Sequence, residues 1–331
     1  MKNHTVAPAY NQLFPFPKSE VLDTRDKRAE GRFYTCENPF SHEAFHDWAS
    51  RARLPRAVVL EPFAGANNLI KMMKDVNLCR SFSAFDILPG DSDVQQRDTL
   101  ADFPTGFDVC VTNPPWLARN SAVRRGLPYP QTSYDNLYKY CLAICLRHCG
   151  YVAALVPESF ICSGNFLSRL VAFISLNHKM FADTDHPTGL ALFEPSAKKS
   201  AMIYAGKQQL DTLAELHEHC PPRVYNKRIV FNAPDGNVGF IALDNNHRPS
   251  IRFCHAEELG DYLIKHSCRA ITKIKIPGKP DIRGYNRFID EFRDKTGDVV
   301  LTAYRGLRRD GFYRRRMDYG LARDIIGYVG F

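Results

Sequence analysis

In the stretch VTNPPWLARN (residues 111–120) a short apolar run ends in an asparagine, two prolines and a tryptophan. FDVCVT (107–112) is apolar and rich in β-branched residues, the pattern of a buried strand. Pro114 and Pro115 stop it, because each lacks a backbone N–H and fixes φ. The first proline also holds Asn113 extended. A side-chain amide, two prolyl carbonyls and the ring of Trp116 are thereby fixed at the lip of a strand. Two such rigid acceptors, Asn113 Oδ1 and the Pro114 carbonyl, can take both N–H bonds of a conjugated planar amine. That favours a pyramidal nitrogen and turns its lone pair outward, with Trp116 available to stack on the attached ring. A plain strand stop is the simpler reading of the tetrapeptide alone.

Two other strand ends carry pointed residues. AVVL runs into EPFAGANNLI (61–70): an acid, Glu61, then Pro62, Ala64 and Gly65, then a helical pattern. Gly65 and Ala66 allow close approach to the backbone, and a helix N-terminus offers free N–H donors. SFSAFDI places Asp86 at its tip, where a carboxylate can accept both hydroxyls of a ribose; a turn-forming aspartate is the plainer alternative. Asp98 stands in QQRDTL, ahead of the Pro-Pro strand.

The elements that must position these residues alternate. Between about 55 and 205, the runs AVVLEPF, SFSAFDI, FDVCVT, YVAALVP and KSAMIYAG are separated by helical stretches such as NNLIKMMKDV and DNLYKYCLAICLRH. Strands alternating with helices imply a mainly parallel sheet with helices on both faces, and ligands of such sheets bind at the carboxyl ends of the strands. Residues 1–30 read as an irregular arm, 31–210 as the α/β domain and 211–331 as a smaller C-terminal domain of turn-rich strands followed by mixed basic segments. The boundary falls near DTLAELHEHCPP (211–222).

Composition narrows the classes. The 331 residues are 44% hydrophobic and 24% charged, ordinary globular values. The N-terminal MKNHTVAPAYNQLFPFPKSE lacks a signal-peptide core, and no apolar run reaches the roughly eighteen residues of a membrane span. The expectation is a soluble, cytoplasmic protein. None of the ten cysteines forms a C-x-x-C pair. Cys141, Cys145 and Cys149 share a helix face beside His148, where a metal is conceivable; the reading taken is cysteine packing as a small hydrophobe in a reducing compartment, with no metal. The net charge of +8 is concentrated in YRGLRRDGFYRRRMDYGLAR (304–323). There Arg305, Arg308, Arg309, Arg314, Arg315 and Arg316 are interleaved with aromatic residues, a composition suited to phosphate contact with stacking or to a solvated charged face.

Together the three strand ends resemble those of the S-adenosylmethionine-dependent methyltransferases, and specifically the amino-group methyltransferases of adenine in DNA. Their Asn/Asp-Pro-Pro-aromatic signature is Asn113-Pro114-Pro115-Trp116 here. Their upstream Gly-x-Phe/Tyr-Phe/Tyr-Thr-Pro segment resembles GRFYTCENPF (31–40), which precedes the glycine turn and the Pro-Pro motif as in the gamma-type order. DNLYKYCLAICLRHCGYVAALVPESFICSGNFLSRL is similar to their following helix, strand and Pro-Ser/Glu-Ser-Phe element. The likeness covers roughly 28–207. It departs at Asn67, where the family usually has a second glycine, and at Cys36, where it has proline; asparagine tolerates a left-handed backbone.

The resemblance implies a Rossmann-like class I methyltransferase sheet plus a C-terminal target-recognition domain, with S-adenosylmethionine as cofactor. It implies Phe33 and Thr35 near the methionine end of that cofactor, with Glu61, Pro62, Ala64 and Gly65 around it. Asp86 is then at the ribose, Asp98 at the adenine amino group with Leu100 and Phe103 nearby, and Asn113 at the methyl donor's edge. Phe181 or Phe193 is the second wall of the base pocket, core packing being the alternative for both. The implied partner is double-stranded DNA, whose adenine must leave the helix to reach such a site. A cognate restriction endonuclease, and a monomeric or dimeric state in a bacterial, phage or plasmid system, complete the expectation. RNA adenine or a protein glutamine would suit the same clamp, and a non-catalytic nucleic-acid-binding protein is the reading from another class. The arginine-rich C-terminus weighs against a protein substrate.

Overall fold

The computed structural model describes residues 33–182, 184–260 and 268–330, and the segment read as an N-terminal arm lies outside them, as do Gly31 and Arg32. The chain forms two compact units, one ending at Ala201 and the other beginning at Met202, with residues 161–163 belonging to the second. Composition placed the change later, near 211–222.

The first unit is built on a sheet of β1 (Val58–Glu61), β2 (Ser81–Asp86), β3 (Val94–Gln96), β4 (Val109–Thr112), β5 (Tyr151–Pro157), β6 (Leu170–Leu176) and β7 (Thr188–Phe193). Their order is β3-β2-β1-β4-β5-β7-β6. The first five run parallel, while β7 is antiparallel to both of its neighbours. This is an open, Rossmann-like α/β sheet. All four residues of β4 and all six of β7 are buried, so both faces of the sheet are covered. The order reverses between β1 and β4, and both strands end at that switch point.

Four helices belong to this unit: α1 (Glu43–Arg51), α2 (Asn68–Asp75), α3 (Arg119–Arg124) and α4 (Leu137–His148). Helix α1 starts on His42, whose Nδ1 accepts the Ala44 N–H at 3.1 Å, and it buries Phe45 and Trp48, three residues apart on one face. The Trp48 indole N–H donates to the Phe193 carbonyl at 3.0 Å, which ties the helix to β7. Burying those two rings contributes about 1.5–3 kcal/mol each.

The second unit has a hairpin of β8 (Met202–Ala205) and β9 (Gln208–Thr212), then α5 (Leu213–Glu218), which begins on a capping box between Thr212 and Glu215. An antiparallel sheet follows in the order β10-β13-β11-β12, from β10 (Val230–Phe231), β11 (Val238–Ile241), β12 (Arg252–His255) and β13 (Ile271–Lys275). Helices α6 (Ile282–Thr296) and α7 (Tyr319–Val329) pack on it through Tyr285, Ile289, Ile325 and Ile326 against Phe240 and Phe253. Between them stands a last hairpin, β14 (Thr302–Leu307) and β15 (Tyr313–Arg316). The short strands match the turn-rich reading of 221–253. Helix α6 is an addition to it: its buried Tyr285, Ile289 and Phe292 keep helical spacing within a segment otherwise dominated by charge.

Candidate active site at the carboxyl ends of the strands

Strand β1 delivers Glu61 into the interior, 2% exposed. Its Oε1 accepts the Thr112 hydroxyl at 2.7 Å and the Phe63 N–H at 3.1 Å. Oε2 is buried with no hydrogen-bond partner among the described residues. Burial is the largest influence on this carboxyl and pushes its pKa up to about 8, against the lowering effect of those two donors; Asp86 nearby adds to the rise. A neutral acid at the end of β1 is therefore ready to become charged when a cation arrives.

The turn after Glu61 is shaped by two left-handed residues, Gly65 at φ +53° and Asn67 at φ +63°. A side chain at Gly65 would meet the Tyr34 ring at 2.7 Å, so glycine is needed for space as well as for backbone conformation. Asn67 takes the left-handed conformation that a glycine would otherwise supply, and its buried Oδ1 has no partner among the described residues. Asp86 at the tip of β2 holds the turn closed: Oδ2 accepts the Gly65 N–H and Oδ1 the Leu88 N–H, both at 2.8 Å. The Ala64 N–H donates to the Phe85 carbonyl at 2.9 Å, and Thr99 Oγ1 donates to the Pro62 carbonyl at 2.9 Å. Asp86 is thus both a strand-end carboxylate and the organiser of the glycine turn.

Strand β4 ends at Thr112, and the next residue is the amide of interest. The Nδ2 of Asn113 donates to the Phe33 carbonyl at 2.7 Å, with Thr35 Oγ1 at 3.5 Å. A carbonyl can only accept, so this bond fixes which end of the amide is nitrogen. Oδ1 is consequently turned the other way, buried and without a partner among the described residues. The segment supplying that carbonyl is itself tied down: Thr35 forms a bridge with Phe181, the Cys36 N–H donates to the Met180 carbonyl at 2.9 Å, and Asn68 Nδ2 donates to the Thr35 carbonyl at 2.8 Å.

Trp116 lies edge-on to Phe33 and Phe181, with ring centroids 5.8 and 5.2 Å away. Its indole nitrogen is buried without a partner among the described residues. Phe181 is wholly buried in this aromatic group, whereas Phe193 lies elsewhere, packed on Phe160 in the core under β7. Of the two phenylalanines considered for the pocket wall, Phe193 is core. Sequence reading missed Tyr34 over Gly65, and it missed His186, whose half-buried ring lies 5.5 Å from Phe33 and 6.3 Å from Trp116. The aromatic FYT run was the signal for Tyr34. Nothing local marks His186.

Asp98 caps its own turn, its Oδ1 accepting the N–H groups of Leu100 and Ala101 at 3.1 Å. Leu100 and Phe103 line a cleft of about 460 Å³ with Tyr134, Tyr140 and His148. Phe103 stacks on His148 at 4.9 Å. The cysteines of α4 and its C-cap face inward: Cys141, Cys145 and Cys149 are buried, and the last two crowd Cys110 of β4. Burial, and then its neighbouring thiols, push the Cys110 thiol well above its ordinary value. Among the described residues no group of three or more His, Cys, Asp or Glu is arranged to hold a metal, and no helix is long and apolar enough to cross a membrane.

The six arginines of the second unit do not form one face. Arg308 and Arg315 are buried, at 6% and 2% exposure. Arg308 donates through Nη1 to Asp244 Oδ2 at 2.9 Å and through Nε to Asp310 at 3.1 Å, so it is committed inside the fold. Arg305 and Arg309 are exposed, and Arg314 and Arg316 are half-buried. The expectation of six phosphate contacts is corrected accordingly: burial removes Arg308 and Arg315 from the surface.

No protein-family model matches the chain, and no curated protein matches its sequence. Solved structures align with parts of the chain. A Listeria monocytogenes protein assigned to the class I S-adenosylmethionine-dependent methyltransferases is 14% identical over 50% of this chain and 64% of its own, with a TM-score of 0.37. The methyltransferase subunit of a type I restriction-modification system from Streptococcus thermophilus is 16% identical over 52% of this chain and 50% of its own, with a TM-score of 0.34. The EcoKI type I restriction enzyme M protein is 14% identical over 74% of this chain and 68% of its own, also at 0.34. The chain spans about half to two-thirds of the length of these proteins. Likeness at this level says nothing about chemistry, which has to be read from the site.

Proposed function

We propose that this chain is an S-adenosylmethionine-dependent methyltransferase acting on the exocyclic N6 amine of adenine in double-stranded DNA. The observation that carries the reading is the Asn113 amide. It is oriented by the Phe33 carbonyl so that Oδ1 stands buried and unpartnered at the end of β4, beside a proline-fixed carbonyl and an aromatic group. A buried carbonyl oxygen without a donor costs about 1–3 kcal/mol, which a bound amine would relieve.

When bound, S-adenosylmethionine supplies an activated methyl group. The residues fit it: the unpartnered Oε2 of Glu61 suits its ammonium, and ionisation of that carboxyl on binding offsets the cost of burying it. Asp86, whose oxygens accept the Gly65 and Leu88 N–H groups, stands at the tip of β2 where the ribose hydroxyls would bind. Asp98 is at the adenine amino group, with Leu100 and Phe103 alongside. Asn113 Oδ1 and the Pro114 carbonyl take the two N–H bonds of the target amine and turn its lone pair toward the methyl. As the nitrogen becomes positive, both dipoles stabilise it, so the site works mainly by alignment and fixed electrostatics. Phe181 is spent in holding Trp116 and Phe33, which leaves Trp116 and His186 as the surfaces against which an extruded base can stack.

Methylation of plasmid DNA by the purified protein, read by single-molecule sequencing, tests the proposal. Modified adenines in a fixed sequence context are expected. Methyl transfer to RNA or to a protein glutamine, with none to DNA, would keep the clamp and overturn the substrate.

A further inference from the structure

We propose that the β14–β15 hairpin is a rigid two-stranded ribbon that reads duplex DNA in the major groove, with Arg309 and Phe312 at its tip; this rests on the reading that the substrate is DNA. The observation is the way the hairpin is held. Asp244 is completely buried and binds both strands: its carboxylate accepts Arg308 Nη1 at 2.9 Å beyond the end of β14 and the Arg315 N–H of β15 at 3.1 Å. Its backbone carbonyl accepts Arg314 Nε at 2.8 Å, and its N–H donates to the Arg315 carbonyl at 2.9 Å. Arg293 of α6 then grips Asp244 in bidentate fashion, with both contacts at 2.9 Å, and continues to Asp298. Replacing such an ionic cluster by apolar residues usually costs nothing or gains stability, so its merit is a defined geometry rather than a larger folding energy.

The turn is held as firmly as the base. The Arg308 N–H donates to the Phe312 carbonyl at 2.7 Å, the Gly311 N–H to the Arg308 carbonyl at 3.0 Å, and the Arg309 N–H to the Asn246 carbonyl at 2.9 Å. Gly311 sits at φ +84° with open space around its Cα. With Arg308 turned inward, the tip presents Arg309 and Phe312, the latter 43% exposed, beside Asp310, which pairs with Arg308. Along the strands, Tyr304 and Arg314 are direct cross-strand partners, the guanidinium 5.4 Å from the ring centre, and Arg316 follows on the same face. A ribbon of this build, with arginines outside and a fixed backbone, fits the major groove, which is about 12 Å wide and admits two strands. Arg309 is placed for base edges, and Arg305, Arg314 and Arg316 for phosphates.

The test compares the full-length wild type with the double variant R309A/F312A. Binding is measured by fluorescence anisotropy across a salt series on a duplex carrying the sequence the protein selects from a random duplex pool, a scrambled duplex and a duplex RNA of the same sequence. The variant is expected to lose at least tenfold of its preference for the site over the scrambled duplex. Its salt slope should stay close to that of wild type, because the arginines placed for phosphates are untouched. Binding to duplex RNA, whose deep narrow major groove excludes a ribbon, should not change. Retained site preference, or an equal loss on duplex RNA, would overturn the hairpin. If wild type methylates DNA and the variant keeps its site preference, the ribbon fails and the enzyme stands. If wild type prefers one duplex sequence without methylating it, and the variant loses that preference, the ribbon stands and the methyltransferase fails.

Discussion

The ends of β1 and β4 and the Asp244 carboxylate under the β14–β15 hairpin treat buried polarity in opposite ways. In the first, Glu61 Oε2, Asn113 Oδ1 and the Trp116 indole N–H are enclosed and lack partners among the described residues. In the second, Asp244 is enclosed and gripped by Arg293 and Arg308, with donors from the backbone as well. Unmatched polarity costs stability and is sensible where a ligand will complete it. Matched polarity holds a shape. Burial alone would raise the Asp244 carboxyl, yet the Arg293 guanidinium and its hydrogen bonds keep it below its ordinary value. At Glu61 the same burial wins, and the carboxyl rises to about 8.

The largest effect expected from this contrast is on folding. Asp244→Ala leaves Arg293 and Arg308 buried beside a missing partner, and should destabilise the protein by about 3–5 kcal/mol in urea unfolding. A loss below about 1 kcal/mol would show the cluster to be incidental. The active-site counterpart is Asn113→Ala. Removing one oriented acceptor should lower methyl transfer by about 10²–10³-fold. Stability and S-adenosylmethionine affinity, read by urea unfolding and calorimetry, should stay close to wild type. Near-normal turnover would dismiss the clamp.

Glu61 gives the contrast a pH signature. Its folded value of about 8 lies above the ordinary 4.5, so between those limits the native state holds a proton that the unfolded chain has released. The contribution of this group is therefore most favourable below about pH 4.5 and is lost as pH rises toward 8. The loss is on the order of a few kcal/mol. Comparing the pH dependence of unfolding for wild type and Glu61→Gln isolates it: the variant should lack that decline, and parallel curves would contradict the buried neutral acid. The smallest effect belongs to His186. His186→Ala should raise the KM for DNA about three- to tenfold, the scale of one aromatic contact, while His186→Phe restores it and cofactor affinity is unchanged. An alanine variant with wild-type KM would remove His186 from the pocket.

How far these features were legible in the chain depends on how local their causes are. Pro114 and Pro115 stop β4 whatever surrounds them, so Asn113 could be placed at a strand end from ten residues. Asp86 was placed correctly at its tip, but its hold on the Gly65 N–H joins residues far apart in the chain, and no spacing announces it. The arginines misled for the same reason. In YRGLRRDGFYRRRMDYGLAR, Arg308 and Arg309 are adjacent and chemically identical, yet one is buried on Asp244 and the other is exposed.

The sequence alone determined the strand ends, the rigid Asn-Pro-Pro-Trp segment and the alternation that makes the sheet, because proline geometry and hydrophobic period act between neighbours. Tertiary structure alone decided which way the Asn113 amide faces, that His186 joins Trp116, and which arginines are anchors. Each of those outcomes depends on a partner that only folding brings within hydrogen-bond or van der Waals reach: the Phe33 carbonyl for Asn113, the ring of Phe33 for His186, and Asp244 for Arg308.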